Sequence, residues 1–275
     1  MMTANATLAA PDVEPPILGQ IRGAQRAARS AFRLKFVITW ALILAAVGIA
    51  IVATGNADPV FTQNWSAYIL GGAGLTVLIS AVSIFLATIL AVIGALGRLS
   101  SNGFINGAAS LYVSLVRGTP LLVQIYFVFF ALPQMGIVLD PIPAGIVALS
   151  FNYGAYMTEI FRAGIQAVPR GQREAAEALG MPERLVMRRI VLPQAIRIVV
   201  PAIGNDFVSM IKDSSLVSVV GLQEILWRSS TVGRSNSQLI QALLIAALVY
   251  WALTIFFSYF QGKLERRLAQ SDVRL

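Results

Sequence analysis

Six stretches of mostly apolar residues constrain the fold of this chain more than any other feature. An α-helix needs about 20 such residues to cross the hydrocarbon core of a bilayer, which is about 30 Å thick. The stretches are Phe36–Thr54, Tyr68–Leu96, Ala109–Leu132, Ile142–Ile160, Ile196–Val220 and Leu239–Phe260. Because 57% of the residues are hydrophobic and only 12% are charged, the composition is typical of a membrane protein. We therefore predict an all-α integral membrane protein with six transmembrane helices.

The positions of the basic residues predict the orientation of these helices. Eighteen of the 21 Lys and Arg residues are assigned to one side of the membrane, because they lie before the first span, after the last, or within or flanking the second and fourth connections. The other three are Lys212, within a span, and Arg228 and Arg234. Because cytoplasmic loops carry an excess of Lys and Arg, we expect both termini in the cytoplasm. The same asymmetry explains the net charge of +8, so a nucleic-acid partner is not expected.

The N-terminal part of the chain is predicted to be a cytoplasmic leader followed by a retained helix. Residues 1–19 contain three prolines and little apolar periodicity, which predicts disorder. The leader continues to residue 35 as a basic amphipathic segment on the inner membrane surface. Its arginines at helical spacing are Arg22, Arg26, Arg29 and Arg33. Residues 36–54 are predicted to form an N-terminal transmembrane helix, not a cleaved signal, and residues 268–275 a cytoplasmic tail.

Missing residue types exclude several kinds of chemistry. The chain has no Cys and no His, so thiolate and imidazole catalysis and the usual zinc, haem and iron–sulfur ligands are excluded. None of its three lysines lies in a phosphate-binding loop motif. We predict no catalytic residue, no metal site and no cofactor in this chain, and any ATP and magnesium would be bound by a separate subunit.

Two predicted spans carry polar stripes. Asn152, Tyr156 and Glu159 follow one another at spacings of four and three, which places them on one helical face. The fifth span carries Asn205 and Lys212 and, at spacings of three and four, Asp206, Ser209 and Asp213. We expect Lys212 to pair with a carboxylate of another helix, for which Glu159 is the candidate. As the substrate path we name Asn152, Tyr156, Glu159, Lys212 and Asp213. Interhelical hydrogen bonding and the lining of a solute path both fit these residue types.

The segment from Gly171 to Ala195 is polar in an otherwise apolar chain. Strong helix formers from Glu174 to Leu179 are followed by Gly180, which is typical of a helix C-terminus. Pro182 and Glu183 suit the first turn of a second helix. The segment thus predicts a cytoplasmic helix-turn-helix. Its small apolar face, formed by Ala175, Ala176, Ala178 and Leu179, could pack against a partner. A solvated loop is the plainer alternative.

This segment resembles a known motif. Its pattern E-A-A-x3-G-x9-I-x-L-P is similar to the cytoplasmic loop of the membrane subunits of bacterial ATP-binding-cassette importers. The matching residues are Glu174, Ala175, Ala176, Gly180, Ile190, Leu192 and Pro193. The stretches RGTPLLVQIYF (117–127), YGAYMTEIFRAGIQAVPRGQ (153–172), LPQAIRIVVPAIGN (192–205) and KDSSL (212–216) resemble the polar amino-acid permease branch, whose members take up histidine, glutamine, glutamate, arginine or opines.

The resemblance implies a fold and a set of partners. Residues 68–267 would form the five-helix importer core, with a coupling loop at 165–195 and residues 36–54 as an extra helix. The motif residues would transmit force from an ATPase dimer and do no chemistry. A second permease subunit, identical or a sister chain, an external substrate-binding protein and a polar amino acid would complete the system in the inner membrane of a bacterium.

Two other functions compete with this one. An ion-coupled secondary transporter would also place charges within the membrane, but it gives no reason for the polar loop. An intramembrane protease using Asp206 or Asp213 is disfavoured, because both lie on one span whereas a carboxylate dyad normally joins two segments.

Pro120, at the start of the run that follows Arg117, predicts a helix break near the inner edge of the membrane.

Overall fold

The computed structural model describes residues 16–55 and 57–269. Every regular element in these ranges is helical. The chain divides between Ala57 and Asp58 into two units. The first contains α1, Pro16–Ala53, a single helix of 38 residues. It begins inside the segment expected to be disordered and includes both the basic stretch and the first predicted span. The predicted disorder of residues 1–15 and most of the tail at 268–275 lie outside the described residues.

The second unit contains ten α-helices within residues 58–269, several extended by other helical turns. They are α2 Pro59–Leu70, α3 Ala73–Leu99, α4 Gly103–Arg117, α5 Leu121–Tyr126, α6 Pro141–Gln166, α7 Arg170–Ala178, α8 Glu183–Val186, α9 Leu192–Asp213, α10 Ile225–Ser235 and α11 Leu239–Ala269. A π-helical turn, Phe127–Ala131, and a 3₁₀ turn, Leu132–Met135, extend α5. A second π turn, Met187–Val191, joins α8 to α9, and the 3₁₀ segment Ser214–Val220 follows α9.

Within the described residues, three helical stretches are long and apolar enough to cross a membrane. They are Ala28–Ala53, Pro59–Leu99 and Leu239–Leu268, and they match the first, second and last predicted spans. The predicted span Ala109–Leu132 is wrong as a single helix: Gly103–Arg117 and Leu121–Met135 meet at an angle of 106°. The break lies at Gly118–Pro120, where Pro120 cannot continue the hydrogen-bond ladder of α4. Helices α6 and α9 cover the other two predicted spans, and the total of six stays a prediction.

Helices α3 and α6 pack closely because small residues line their contact. Gly94 lies against Thr158, and Gly154 lies against Leu90 and the Tyr112 hydroxyl. Side chains of this size let two backbones approach, a common device between membrane helices. Ala87 and Ala91 of α3 continue the contact within a buried cluster that also contains Met157 of α6 and Met210 of α9. The cluster holds α3, α6 and α9 together.

A second buried contact joins α3, α10 and α11. The Glu224 side chain is fully buried and caps α10 by accepting a hydrogen bond from the Trp227 amide at 2.9 Å. It also accepts hydrogen bonds from the Tyr250 hydroxyl and, at 3.4 Å, from the Thr76 hydroxyl. One carboxylate thus connects three helices.

The polar loop forms the predicted helix-turn-helix. Helix α7 ends in a Schellman motif: the Gly180 amide donates to the Glu177 carbonyl at 2.9 Å, and the Met181 amide to the Ala176 carbonyl at 3.1 Å. Gly180 has φ +77°, a conformation that side-chain-bearing residues rarely adopt. The predicted helix-turn-helix conformation is confirmed, with one difference. The second helix, α8, is not separate but continues through the π turn into α9.

Candidate functional site

A cavity of about 590 Å³ opens between the start of α5, α6 and α9. Its walls carry both acidic and basic side chains, unlike the apolar clusters that hold the helices together. The lining residues are Arg117, Thr119, Pro120, Leu121, Asn152, Tyr153, Tyr156, Glu159, Ile160, Ala163, Asp206, Ser209 and Asp213. Polar and charged groups on three predicted spans therefore converge on one space large enough for a small solute.

The two polar stripes predicted from spacing both face this cavity. Asn152, Tyr156 and Glu159 line it from α6, and Asp213 lines it from α9. Four of the five predicted path residues are thus brought together. Lys212 is the exception: it does not line the cavity, and its side chain is exposed. Adjacent residues on a helix point about 100° apart, so the face that carries Asp213 turns Lys212 away.

The expected pairing of Lys212 with Glu159 is wrong. The Glu159 carboxylate accepts from Arg162 Nη2 at 2.7 Å and Nε at 3.0 Å, and from Arg98 Nε at 3.2 Å. Arg162 lies one turn further along α6, and Arg98 lies in the last turn of α3. Within the described part of the chain Lys212 forms no ion pair. Glu159 therefore ties α6 to α3, as the interhelical interpretation of the stripes predicted.

Asn152 is also engaged with a neighbouring helix. Its amide donates to Gln124 Oε1 at 3.2 Å, and the Gln124 amide in turn donates to the Thr119 hydroxyl at 2.8 Å and the Val116 carbonyl at 2.8 Å. This chain of bonds satisfies backbone groups freed at the break between α4 and α5. The break thereby presents Arg117 to the cavity, with its guanidinium 5.2 Å from the centre of the Tyr156 ring.

The carboxylates of α9 are less well satisfied. Asp213 accepts one hydrogen bond from the Tyr153 hydroxyl, at 2.7 Å. Asp206 Oδ2 is buried, and no hydrogen-bond partner for it occurs in the described ranges. Buried polar atoms are nearly always paired, so this orphaned oxygen in a cavity wall indicates a place where a donor is received.

Five polar lining residues were absent from the predicted path. They are Arg117, Thr119, Tyr153, Asp206 and Ser209. Asp206 and Ser209 shared the predicted stripe with Asp213, so their spacing already carried the signal. Arg117 and Thr119 precede the Pro120 break. Their position in the wall follows from the 106° bend, which spacing does not reveal.

The predicted coupling residues occupy two different environments. Glu174, Ala175 and Gly180 are exposed, whereas Ala176 is buried against Val186 and other residues of the loop's own small core. The expectation that Ala176 faces a partner is therefore wrong, because this side chain fixes α7 onto the second helix. The exposed face of α7 is instead formed by Ala175, Ala178 and Leu179, and Leu179 is 83% exposed.

Ile190, Leu192 and Pro193 lie at the junction of the loop with α9. Ile190 packs on the loop core, and Ile190 and Pro193 line a second cavity of about 760 Å³ together with Gln172 and Gln194. Leu192 is 44% exposed. These three residues therefore belong to the base of the loop rather than to its exposed face.

A charged, solute-sized cavity in a chain that also contains long apolar helices is typical of a membrane transport subunit. Comparison with known proteins shows which class of transport subunit this is. A family model described as "Binding-protein-dependent transport system inner membrane component" matches residues 83–270. The chain belongs to this family. Its members are transport components rather than enzymes, and importers of this kind work with ATPase subunits and a substrate-binding protein.

Three individual proteins show how similar the chain is to known amino-acid permeases. The L-cystine transport system permease protein TcyB of Bacillus subtilis (strain 168) is 39% identical over 207 residues, which cover 75% of this chain and 88% of that protein. The arginine transport system permease protein ArtQ of the same organism is 38% identical over 206 residues, 74% of this chain and 94% of that protein. The crystal structure of an amino acid ABC transporter with histidines matches with a TM-score of 0.74 and 34% identity, over 77% of this chain and 99% of that one.

Proposed function

We propose that this chain is the permease subunit of an ATP-driven amino-acid uptake system in the bacterial inner membrane and that the 590 Å³ cavity holds the amino acid during passage. The observation that carries the proposal is the convergence of Arg117 and the α9 carboxylates on one cavity. An amino acid is a zwitterion, and groups of both signs are needed to replace its hydration shell. The relatives named for amino-acid transport support the same substrate class.

The exposed face of α7 is the proposed docking surface for the ATPase dimer. It presents Ala175, Ala178 and Leu179 to solvent beside the charged Glu174. An apolar centre with a charged rim suits a partner groove. ATP and magnesium would be bound by that dimer. An external binding protein would deliver the substrate, a second permease would complete the path, and both termini would face the cytoplasm.

The docking proposal has a clean test in Leu179→Asp. Leu179 is 83% exposed, so its replacement leaves the fold of the chain intact, whereas a charge at this point opposes burial in a partner. Gly180→Arg is also expected to uncouple ATP hydrolysis from the permease. Gly180 has φ +77°, however, so an arginine there would strain the loop itself as well as the contact with the ATPase. We expect Leu179→Asp to abolish co-purification with the ATPase and substrate-stimulated ATP hydrolysis in proteoliposomes. Normal hydrolysis in this variant would refute the assignment.

The control for this test is Phe104→Asp. Phe104 is 92% exposed at the start of α4 and lies outside the loop, so an equal loss in this variant would mean that any exposed charge disturbs the complex. Uptake that requires ATP and survives collapse of proton and sodium gradients separates the proposal from an ion-coupled transporter.

A further inference from the structure

The second cavity, of about 760 Å³, lies at the base of the loop and has no part in the proposed transport path. The start of the loop, the π turn with the first turns of α9, and the last turns of α11 form its walls. Its polar lining residues are Gln172, Arg189, Gln194, Arg197 and Glu265. Two arginines face a single carboxylate, so the wall carries an excess of positive charge and suits an anionic ligand.

The surroundings of this cavity add to the positive charge instead of cancelling it. Within the wall segments 167–172, 189–201 and 263–268 the acidic residue is Glu265, which accepts a hydrogen bond from the neutral Gln261 amide at 2.6 Å. The basic residues of these segments are Arg170, Arg189, Arg197, Lys263, Arg266 and Arg267. Arg189 forms no ion pair within the described ranges. The wall therefore stays positive when its neighbours are counted.

The two lining arginines share one face of the helical backbone that leaves the loop. Arg189, Pro193, Arg197 and Pro201 recur at a spacing of four, and all line the cavity. Arg189 and Arg197 are about 12 Å apart along the helix axis. Because helical side chains lean towards the N-terminus, Arg197 reaches back towards Arg189 and shortens this gap. Two guanidinium groups directed at one space are suited to a phosphate, whose oxygens accept charge-assisted hydrogen bonds.

The position of the cavity along α11 places it at the level of lipid headgroups. The apolar stretch Leu239–Leu268 has 30 residues and is about 45 Å long. This length equals the thickness of a bilayer with its headgroup layers, about 40–45 Å. Glu265 and Leu268, which line the cavity, therefore lie at the headgroup end of this span, and lipid phosphates are the anions present there.

The cavity also has an apolar side. Ile198, Pro201 and Leu268 line it, and Ile198 is 48% exposed. Ile198 and Pro201 lie further along α9 than both arginines, which is away from the loop and into the predicted span. A basic end towards the loop and an apolar end towards the hydrocarbon match the two parts of a phospholipid. A soluble phosphate would use only the first of them.

We infer that this cavity binds an anionic phospholipid such as phosphatidylglycerol, with Arg189 and Arg197 on its phosphate and Ile198 and Pro201 along the start of an acyl chain. Basic pockets between membrane helices bind anionic headgroups in this way. A zwitterionic lipid is disfavoured because its own cation meets the surplus positive charge of the wall. The inference does not depend on the substrate of the permease, and a lipid bound here would hold the base of the loop against α11.

The test is native mass spectrometry of the full chain in detergent micelles, titrated separately with phosphatidylglycerol and phosphatidylcholine. We expect the chain to bind phosphatidylglycerol more tightly. Arg189→Gln and Arg197→Gln should each weaken phosphatidylglycerol binding about 5-fold, the effect of one basic residue beside an anionic lipid, and leave phosphatidylcholine binding unchanged. Glu265→Gln should strengthen phosphatidylglycerol binding about 2-fold, because it removes a partly screened repulsion. A misfolded variant cannot produce that gain.

The matched control is Arg188→Gln, at an exposed arginine that adjoins Arg189 but lines a different cavity. Equal affinity for the two lipids, or an equal loss in Arg188→Gln and Arg189→Gln, would overturn the inference. Displacement of phosphatidylglycerol by an equal concentration of glycerol phosphate would show a site for soluble anions instead. If Arg189→Gln left lipid binding unchanged and abolished co-purification with the ATPase, this wall would belong to that contact, and the lipid site would be refuted.

Discussion

The contact between Gly94 and Thr158 leaves no room for a methyl group between α3 and α6. A Cβ added at Gly94 would lie 2.2 Å from Thr158 Oγ1 and 3.0 Å from Thr158 Cγ2. Thr158 is fully buried, and its hydroxyl donates to the Gly154 carbonyl at 2.8 Å. The side chain therefore cannot rotate away without losing this bond. Gly94→Ala must separate the two helices by about 1 Å to restore ordinary contact distances.

Overpacking of this kind costs about 1–3 kcal/mol. For a chain of this size that free energy corresponds to a fall in Tm of about 2–12 °C. Because α6 also carries Asn152 and Tyr156, the displacement reaches the cavity wall, and we expect weaker amino-acid binding in the same variant. The assay is thermal unfolding in detergent followed by tryptophan fluorescence, since a chain without Cys cannot be followed with thiol-reactive dyes.

A compensating substitution makes this reasoning refutable. Thr158→Ala removes both of the closest atoms and leaves only Cβ, at 3.2 Å, so the double variant should be less destabilised than the two single effects added together. Gly107→Ala is the control, because a Cβ there meets nothing within 4 Å. If Gly94→Ala behaved like Gly107→Ala, or if Thr158→Ala gave no relief, the proposed steric origin would be wrong.

Three further substitutions test other contacts. Tyr250→Phe removes a donor from the fully buried Glu224, so we expect a loss of about 1–3 kcal/mol, measured by the same unfolding assay. Glu159→Gln breaks a partly exposed ionic contact and should cost at most about 1 kcal/mol, measured in the same way. Lys212→Met should leave amino-acid affinity unchanged in nanodiscs, because this side chain does not line the cavity.

Each of these expectations has its own contradicting result. The control for Tyr250→Phe is Tyr259→Phe, at a residue that is 63% exposed. An equal loss of stability in both variants would mean that the hydrogen bond to Glu224 does not help to join the helices. A loss well above about 1 kcal/mol in Glu159→Gln would show that this contact contributes more than a partly exposed ion pair does. Lost affinity in Lys212→Met would place this lysine in contact with substrate.

Periodicity in the sequence carried most of the information about the cavity. The stripes on α6 and α9 could be predicted because a helix brings residues at spacings of three and four onto one face whatever surrounds it. The loop was predictable for a similar reason, since the Gly180 turn is a local structure. Features of this kind depend only on residues that are near one another in the chain.

Partners across helices could not be predicted in the same way. Glu159 and Arg98 are 61 residues apart, and nothing local distinguishes Arg98 from the other arginines between the predicted spans. The proline itself indicated the bend at Pro120, but hydropathy alone predicted one continuous span across it. The inward turn of Ala176 depends on how α7 folds back onto α8, so a motif match could name the residue without giving its environment.

The junction of α8 with α9 has a mechanical consequence. From Glu183 to Asp213 the backbone stays helical, through a π turn and past Pro193 and Pro201. Counted along this helical path, Asp206 lies about 35 Å from Glu183. The loop and the cavity wall thus share one unbroken stretch of helical backbone, so a displacement of the loop has a covalent and hydrogen-bonded route to Asp206.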